Sequence, residues 1–282
     1  SQGRPAGEAD ALARNGAHHF HRAGAQSQRE LATRATRAVL AQSNISPEQV
    51  DVLVMCHTSP SNTLPAPLSA VGEVRRGAGL RKALTFAVGQ QQCVSPVHAL
   101  RMLELLFARR REWEVGVLLC ADTLPVESLR PIGNAGMQSD GASAMLLRRG
   151  AGSRLRGLHT YNHSRPTQGI LPDGGYEADP NYLWGLVSLV RSVARAAGLK
   201  PNEFTSVLPH NVNLPAWHQT VDALRIPRER LFDRNFARVG HAFGSDAAIN
   251  LADSGALTRP GHHLVLASGI GGTFGGFAVT TD

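Results

Sequence analysis

The chain has 282 residues, is 42% hydrophobic and carries a net charge of +7, its 29 basic residues being nearly all arginine. That length and apolar content suffice for a full core in one or two domains, and no apolar run approaches membrane-span length. Aromatics are only 5% and do not interleave with the arginines, which argues against nucleic acid held by base stacking. With no signal-peptide pattern at the start, the expectation is a soluble, cytoplasmic protein without a membrane partner. The three cysteines cannot all pair. Cys56 and Cys120 each end an apolar run and read as core residues of a reducing compartment.

Residues 1–16 are rich in glycine, alanine and arginine and read as loosely held. Ser27-Gln-Arg-Glu30 is a capping box that opens a helix to about Gln42. A strand over 51–56 and a helix over 66–77 follow. Leu84 to Val88 is a short apolar run that reads as a buried strand, and residues 95–110 carry a broad helical stripe of Val97, Leu100, Met102, Leu103, Leu105 and Leu106. Pro96 suits the first turn of that helix, where its missing N–H costs nothing. Cys93 therefore falls at a strand-to-helix junction, before the positive end of a helix dipole, where a thiolate is stabilised and becomes nucleophilic.

Strands over 115–120 and 142–148 complete the first half. The second half predicts a strand near 155–161, a helix over 181–197, a strand over 205–208 and helices over 215–224 and 244–254. Strands over 263–268 and 273–280 end the chain, joined at a glycine-rich bend. Alternating strands and helices predict a layered α/β fold, divided near Gly150–Gly157 into halves 1–150 and 151–282. The strand ending at Leu208-Pro-His210-Asn-Val-Asn213 delivers one histidine, and the loop Gly240-His241 delivers another. One thiol, two loop histidines and a bend with free backbone N–H groups are the components of thiol-based acyl transfer.

The order of these motifs resembles the ketoacyl synthase III branch of the thiolase-fold condensing enzymes, from about Arg14 to the C-terminus. Arg14-Asn-Gly is similar to the family's Arg-Thr-Gly, and Asp140-Gly-Ala-Ser-Ala to its Gly-Asp-Gly-Ala-Gly-Ala strand. Leu208-Pro-His210-Asn-Val-Asn213 matches Val-Pro-His-Gln-Ala-Asn, and Gly269-Ile-Gly271 falls on the C-terminal triple glycine. Where the family has Gly-Asn, this chain has Gly240-His241, so the implied catalytic set is Cys93, His210 and His241 in place of Cys-His-Asn. Ser95 replaces the family's glycine two residues after the nucleophile, and no counterpart of the coenzyme A adenine-stacking tryptophan is read before Arg14.

The resemblance implies two related βαβαβ halves in a layered α-β-α-β-α core. It also implies an oxyanion hole from the backbone N–H groups of Cys93 and Gly271, support from Asn213, a homodimer, and neither metal nor cofactor. The expected reaction is ping-pong acyl transfer from an acyl carrier protein or coenzyme A donor, through Cys93, to a hydroxyl or amine of a small-molecule acceptor in secondary metabolism. Decarboxylative carbon–carbon condensation is the rival, and a non-catalytic subunit of a hetero-oligomeric synthase the third reading. Asp140 reads as fixing a turn. His18-His19-Phe-His21 reads as a surface strand without metal, and His262-His263 as solvated.

Overall fold

A computed structural model describes residues 6–59, 67–150, 152–163 and 179–282. In chain order the elements are α1 (Ala6–Arg14), α2 (Gln28–Gln42), β1 (Val52–Cys56), α3 (Ala70–Gly77), β2 (Leu84–Val88), α4 (Ser95–Arg109) and β3 (Val115–Asp122). A two-residue hairpin of β4 (Pro131–Ile132) and β5 (Gly136–Met137) precedes β6 (Gly141–Arg148) and β7 (Arg154–Asn162). Then come α5 (Tyr182–Ala197), β8 (Ser206–Pro209), α6 (Leu214–Ala223), α7 (Arg234–Arg238), α8 (Asp246–Ser254), β9 (Gly261–Gly269) and β10 (Thr273–Thr281).

Two four-stranded sheets form, in the orders β2-β1-β3-β6 and β7-β10-β9-β8. The strands of the first all precede residue 149 and those of the second all follow residue 153. The period-2 alternation of β1 explains the layering. Val52, Val54 and Cys56 face α4 in the central core, while Leu53 and Met55 face the outer layer with Ala32 and Leu40 of α2 and Val74 of α3. Val97, Leu100 and Leu103 carry α4 between the two sheets, in one buried cluster with Leu158, Val265 and Phe277 of the second sheet. Leu186, Leu189 and Val190 of α5, with Trp217 of α6, cover the outer face of the second sheet. The result is a five-layer α-β-α-β-α stack. Each fully buried Leu or Val contributes about 1.5–3 kcal/mol to holding it.

The Ser27–Glu30 capping box is present, with both reciprocal hydrogen bonds made. Five readings of the sequence need correction. Met102 and Leu105 of the predicted α4 stripe face solvent, at 40% and 60% exposure. Residues 6–14 form a helix rather than a loose segment. β2 is the edge of its sheet rather than a buried strand, and Leu84 is 47% exposed. An apolar run of five residues carries no information about whether a second neighbour pairs with it. Residues 18–21 form no strand. His19 Nδ1 and His21 Nε2 instead bond the carbonyls of Ala237 and Arg238, each at 3.0 Å. His263 is fully buried, held between Ser206 Oγ (2.9 Å) and the Arg259 carbonyl (3.0 Å), because it faces inward on β9. Among the described residues no helix is long and apolar enough to cross a membrane.

Candidate active site

β2 ends at Val88, and the chain passes through Gln90 (φ 67°) and Gln92 (φ 51°), both in the left-handed region that favours glycine. Non-glycine residues held there cost of order 1–3 kcal/mol, and such strain concentrates at functional turns. Gln92–Val94 is a single 3-10 turn leading into α4, with Pro96 in the helix's first turn and Ser95 Oγ donating to the Gln92 carbonyl at 2.8 Å. Gly275 of β10 lets the elbow press against the second sheet: a Cβ there would meet Val94 Cγ1 at 2.4 Å. Cys93 is thereby buried against Leu124 and Phe243 at the start of a helix.

His241 is fixed by its backbone. Its N–H donates to the Met137 carbonyl (2.9 Å) and its own carbonyl accepts from Ser139 N–H (2.7 Å). Gly240 just before it has φ +71°, and a Cβ there would lie 2.8 Å from the His19 carbonyl oxygen and 2.9 Å from Ser139 Oγ. His241 Nε2 lies 3.1 Å from Cys93 Sγ, and Nδ1 lies 2.6 Å from Asp246 Oδ2. Asp246 opens α8, where the helix dipole favours a carboxylate. It also accepts from the N–H groups of Asn211 and Ala242, both at 2.8 Å, and from Asn211 Nδ2 at 3.3 Å.

His210 directly follows β8 and is 5% exposed. Its ring lies 5.3 Å from the His241 ring and 5.6 Å from Trp217, edge-on to both. His210 Nε2 meets Ser268 Oγ at 3.1 Å, and Ser268 Oγ meets the Tyr182 hydroxyl at 2.9 Å. Burial, then the positive charge of His241, pushes the His210 pKa well below the usual imidazole value. For His241 burial also opposes the charge. The Cys93 and Asp246 charges and the hydrogen bonds that His241 makes to both outweigh it and lift the pKa to about 10.

Cys93, His210, His241, Asn213 and Gly271 line one cavity of about 90 Å³, shared with Tyr182 and Ser268. Asn213 sits at φ 57° and its side chain caps α6, accepting from Ala216 N–H at 3.4 Å. Gly271 has φ 92° in the bend between β9 and β10. His57 and His98 do not line the cavity, and Asp140 sits in a buried ion pair with Arg130 at 3.0 Å. The sequence reading assigned no role to Asp246. A carboxylate at the head of a helix five residues beyond a loop histidine was the available signal. Ser268 and Tyr182 carried none, since only the fold brings α5 and β9 together.

The family model described as 3-oxoacyl-[acyl-carrier-protein] synthase III C terminal matches residues 194–281. A β-ketoacyl-[acyl-carrier-protein] synthase III of Paramagnetospirillum magneticum is 28% identical over 270 residues, spanning 87% of this chain and 81% of that one. The crystal structure of 3-oxoacyl-[acyl-carrier-protein] synthase III from Aquifex aeolicus superposes with a TM-score of 0.77 at 20% identity, covering 93% of this chain and 87% of that one. The structure of the acyltransferase ChlB3 does so with a TM-score of 0.80 at 19% identity, covering 97% and 89%. Residues 194–281 are thus ketoacyl synthase III-like in sequence, and the chain has the thiolase fold of these structures.

Proposed function

We propose that the protein is a ping-pong acyltransferase, loading an acyl group onto Cys93 from a carrier protein or coenzyme A thioester and passing it to a hydroxyl or amine. The observation that carries this reading is His241 bridging Cys93 Sγ at 3.1 Å and Asp246 Oδ2 at 2.6 Å. A nucleophile, a base within reach of it, and a third group orienting the base are the arrangement that activates a weak nucleophile. An asparagine in place of His241 can donate a hydrogen bond but cannot take a proton. A carboxylate-backed imidazole can.

In the first half-reaction the Cys93 thiolate, paired with the His241 imidazolium, attacks the donor thioester. The backbone N–H groups of Cys93 and Gly271 receive the developing oxyanion. Collapse breaks the donor's C–S bond, and the departing thiolate takes the proton from His241. Acylation removes the sulfur's charge, the larger of the two that hold that proton on the ring. Neutral His241, oriented by Asp246, then takes the proton of the acceptor as its oxygen or nitrogen attacks the acyl-Cys93 carbonyl. The C–S bond breaks, and the thiolate–imidazolium pair is restored. His210, neutral and tied to Ser268, lines the opposite side of the cavity and orients the incoming group.

The decarboxylative reading is favoured by His210, a neutral buried imidazole beside His241, which suits a donor to an enolate oxygen. The relatives' names point the same way. We further propose a homodimer that pairs the exposed edge strand β2 across a two-fold axis, and halves 1–150 and 151–282 as duplicated units, each supplying one sheet. The test of function is intact-protein mass spectrometry with a panel of carrier and coenzyme A thioesters, followed by tryptic mapping. The expected result is one acyl group on Cys93. An adduct confined to another residue, or no adduct with any donor, overturns the proposal.

A further inference from the structure

We propose that Cys93, His210 and His241 also form a zinc-binding site whose occupation withdraws the thiol from acyl transfer. Among the described residues these three are the group whose thiol and imidazole donor atoms converge, all within 4.8 Å of one another. A tetrahedral zinc ion bound at about 2.3 Å to sulfur and about 2.0–2.1 Å to nitrogen places its donors roughly 3.3–3.7 Å apart. Cys93 Sγ and His241 Nε2 are already 3.1 Å apart. Side-chain movements of roughly 1 Å therefore close the set around an ion.

Five further features fit the metal. The donors are one thiolate and two imidazoles, the combination that selects zinc over calcium or magnesium. His241 reaches the cavity with Nε2 while Nδ1 is held by Asp246 at 2.6 Å, the carboxylate–histidine arrangement that orients a zinc ligand. The Cys93 thiolate and the Asp246 carboxylate together balance the two charges of the ion, so its burial leaves no unpaired charge. All three ligands are buried on the fold itself, at 8%, 5% and 2% exposure, so little ordering precedes binding. The fourth coordination position faces the cavity of about 90 Å³, which has room for a water.

Zinc displaces the proton shared by Cys93 and His241 and occupies the sulfur lone pair that attacks the donor. Filling the site and acylating Cys93 are then mutually exclusive. This inference stands on the juxtaposition alone and does not require the acyltransferase reading.

The test uses the full chain, freed of metal with a chelator, and zinc sulfate as the probe. Zinc is titrated against a chromogenic zinc indicator, and alkylation of Cys93 by iodoacetamide is followed by intact mass. The expected result is one zinc lost in both Cys93→Ala and His210→Ala, with alkylation slowed at least about tenfold by zinc, restored by chelator and unaffected by magnesium. Asp246→Asn, which keeps all three ligands, is expected to weaken binding by about 10–100-fold. Circular dichroism establishes that each variant is folded. Unprotected alkylation at saturating zinc, or a stoichiometry unchanged in both ligand variants, overturns the site.

Discussion

Replacing Asp246 with asparagine preserves side-chain size and removes one charge, and the structure shows what that does. All four groups around the carboxylate are donors. Oδ2 receives His241 Nδ1 at 2.6 Å and Asn211 N–H at 2.8 Å, while Oδ1 receives Ala242 N–H at 2.8 Å and Asn211 Nδ2 at 3.3 Å. An amide has one acceptor oxygen, so two donors face an NH₂ whichever way it turns. A buried donor left without a partner costs about 1–3 kcal/mol of stability. If the NH₂ faces His241 it donates to Nδ1, the ring proton moves to Nε2, and the nitrogen beside Cys93 can no longer accept a proton. Loss of a general base costs about 10²–10⁴-fold, or about 2.7–5.5 kcal/mol at 1.36 kcal/mol per decade. The assay is the rate of Cys93 acylation by an acyl thioester, read by rapid quench and intact mass, with folding checked by circular dichroism. A folded Asp246→Asn protein that acylates within about threefold of wild type would refute the reasoning, since a lost base costs far more.

Other consequences follow from the same geometry. Cys93→Ala is expected to abolish acyl loading while leaving the melting temperature nearly unchanged, because only a sulfur is removed; loading of Cys93→Ala at the wild-type rate contradicts the assignment. Gly240→Ala puts a Cβ 2.8 Å from the His19 carbonyl oxygen at φ +71°, at a cost of about 1–3 kcal/mol. That is a fall in melting temperature of roughly 2–4 °C per kcal/mol, accompanied by lost acylation as His241 shifts. Asp140 and Arg130 form a buried pair, 5% and 2% exposed; burial raises the Asp140 carboxyl, but Arg130 and two backbone N–H groups bring it below the usual carboxylate value. A depressed carboxyl contributes stability above its unfolded value, lost as pH falls through the folded one. Asp140→Asn leaves the Arg130 guanidinium with Glu127 Oε1 at 3.1 Å as its remaining carboxylate and is therefore expected to cost about 1.5–3 kcal/mol at neutral pH. That deficit shrinks below about pH 4, read from urea midpoints across pH. A deficit independent of pH would contradict the pairing.

Much of this architecture is local in origin and so legible in the chain. The Ser27–Glu30 box, the alternation through Val52–Cys56 and the stripe of α4 each state their own element, and the α4 stripe also marks where a nucleophile falls. Cys93, His210 and His241, which the fold brings to one cavity, stand out in the sequence because each falls at a junction between elements. What was missed depends on contacts far apart in sequence. Ser268 and Tyr182 meet across 86 residues, and β2 is an edge only because no strand lies beyond it. Gln90, Gln92 and Phe243 adopt positive φ at positions where the sequence offers neither glycine nor asparagine as a signal. Asp246 was within reach, five residues from His241, but a helix-opening aspartate is so commonly a dipole partner that its second role went unread.

In the proposed function the His241–Asp246 pair discharges acyl-Cys93 onto a nucleophile bearing a proton, without decarboxylation. The direct measurement is a chase of isolated acyl-Cys93 enzyme, with malonyl carrier protein in one arm and hydroxyl or amine acceptors in the other, in wild type and His241→Asn. Acyl transfer is expected in the second arm, reduced by about 10²–10⁴-fold in the variant, and no carbon dioxide in the first. Carbon dioxide released together with a new ketoacyl product, and retained in His241→Asn, would contradict it.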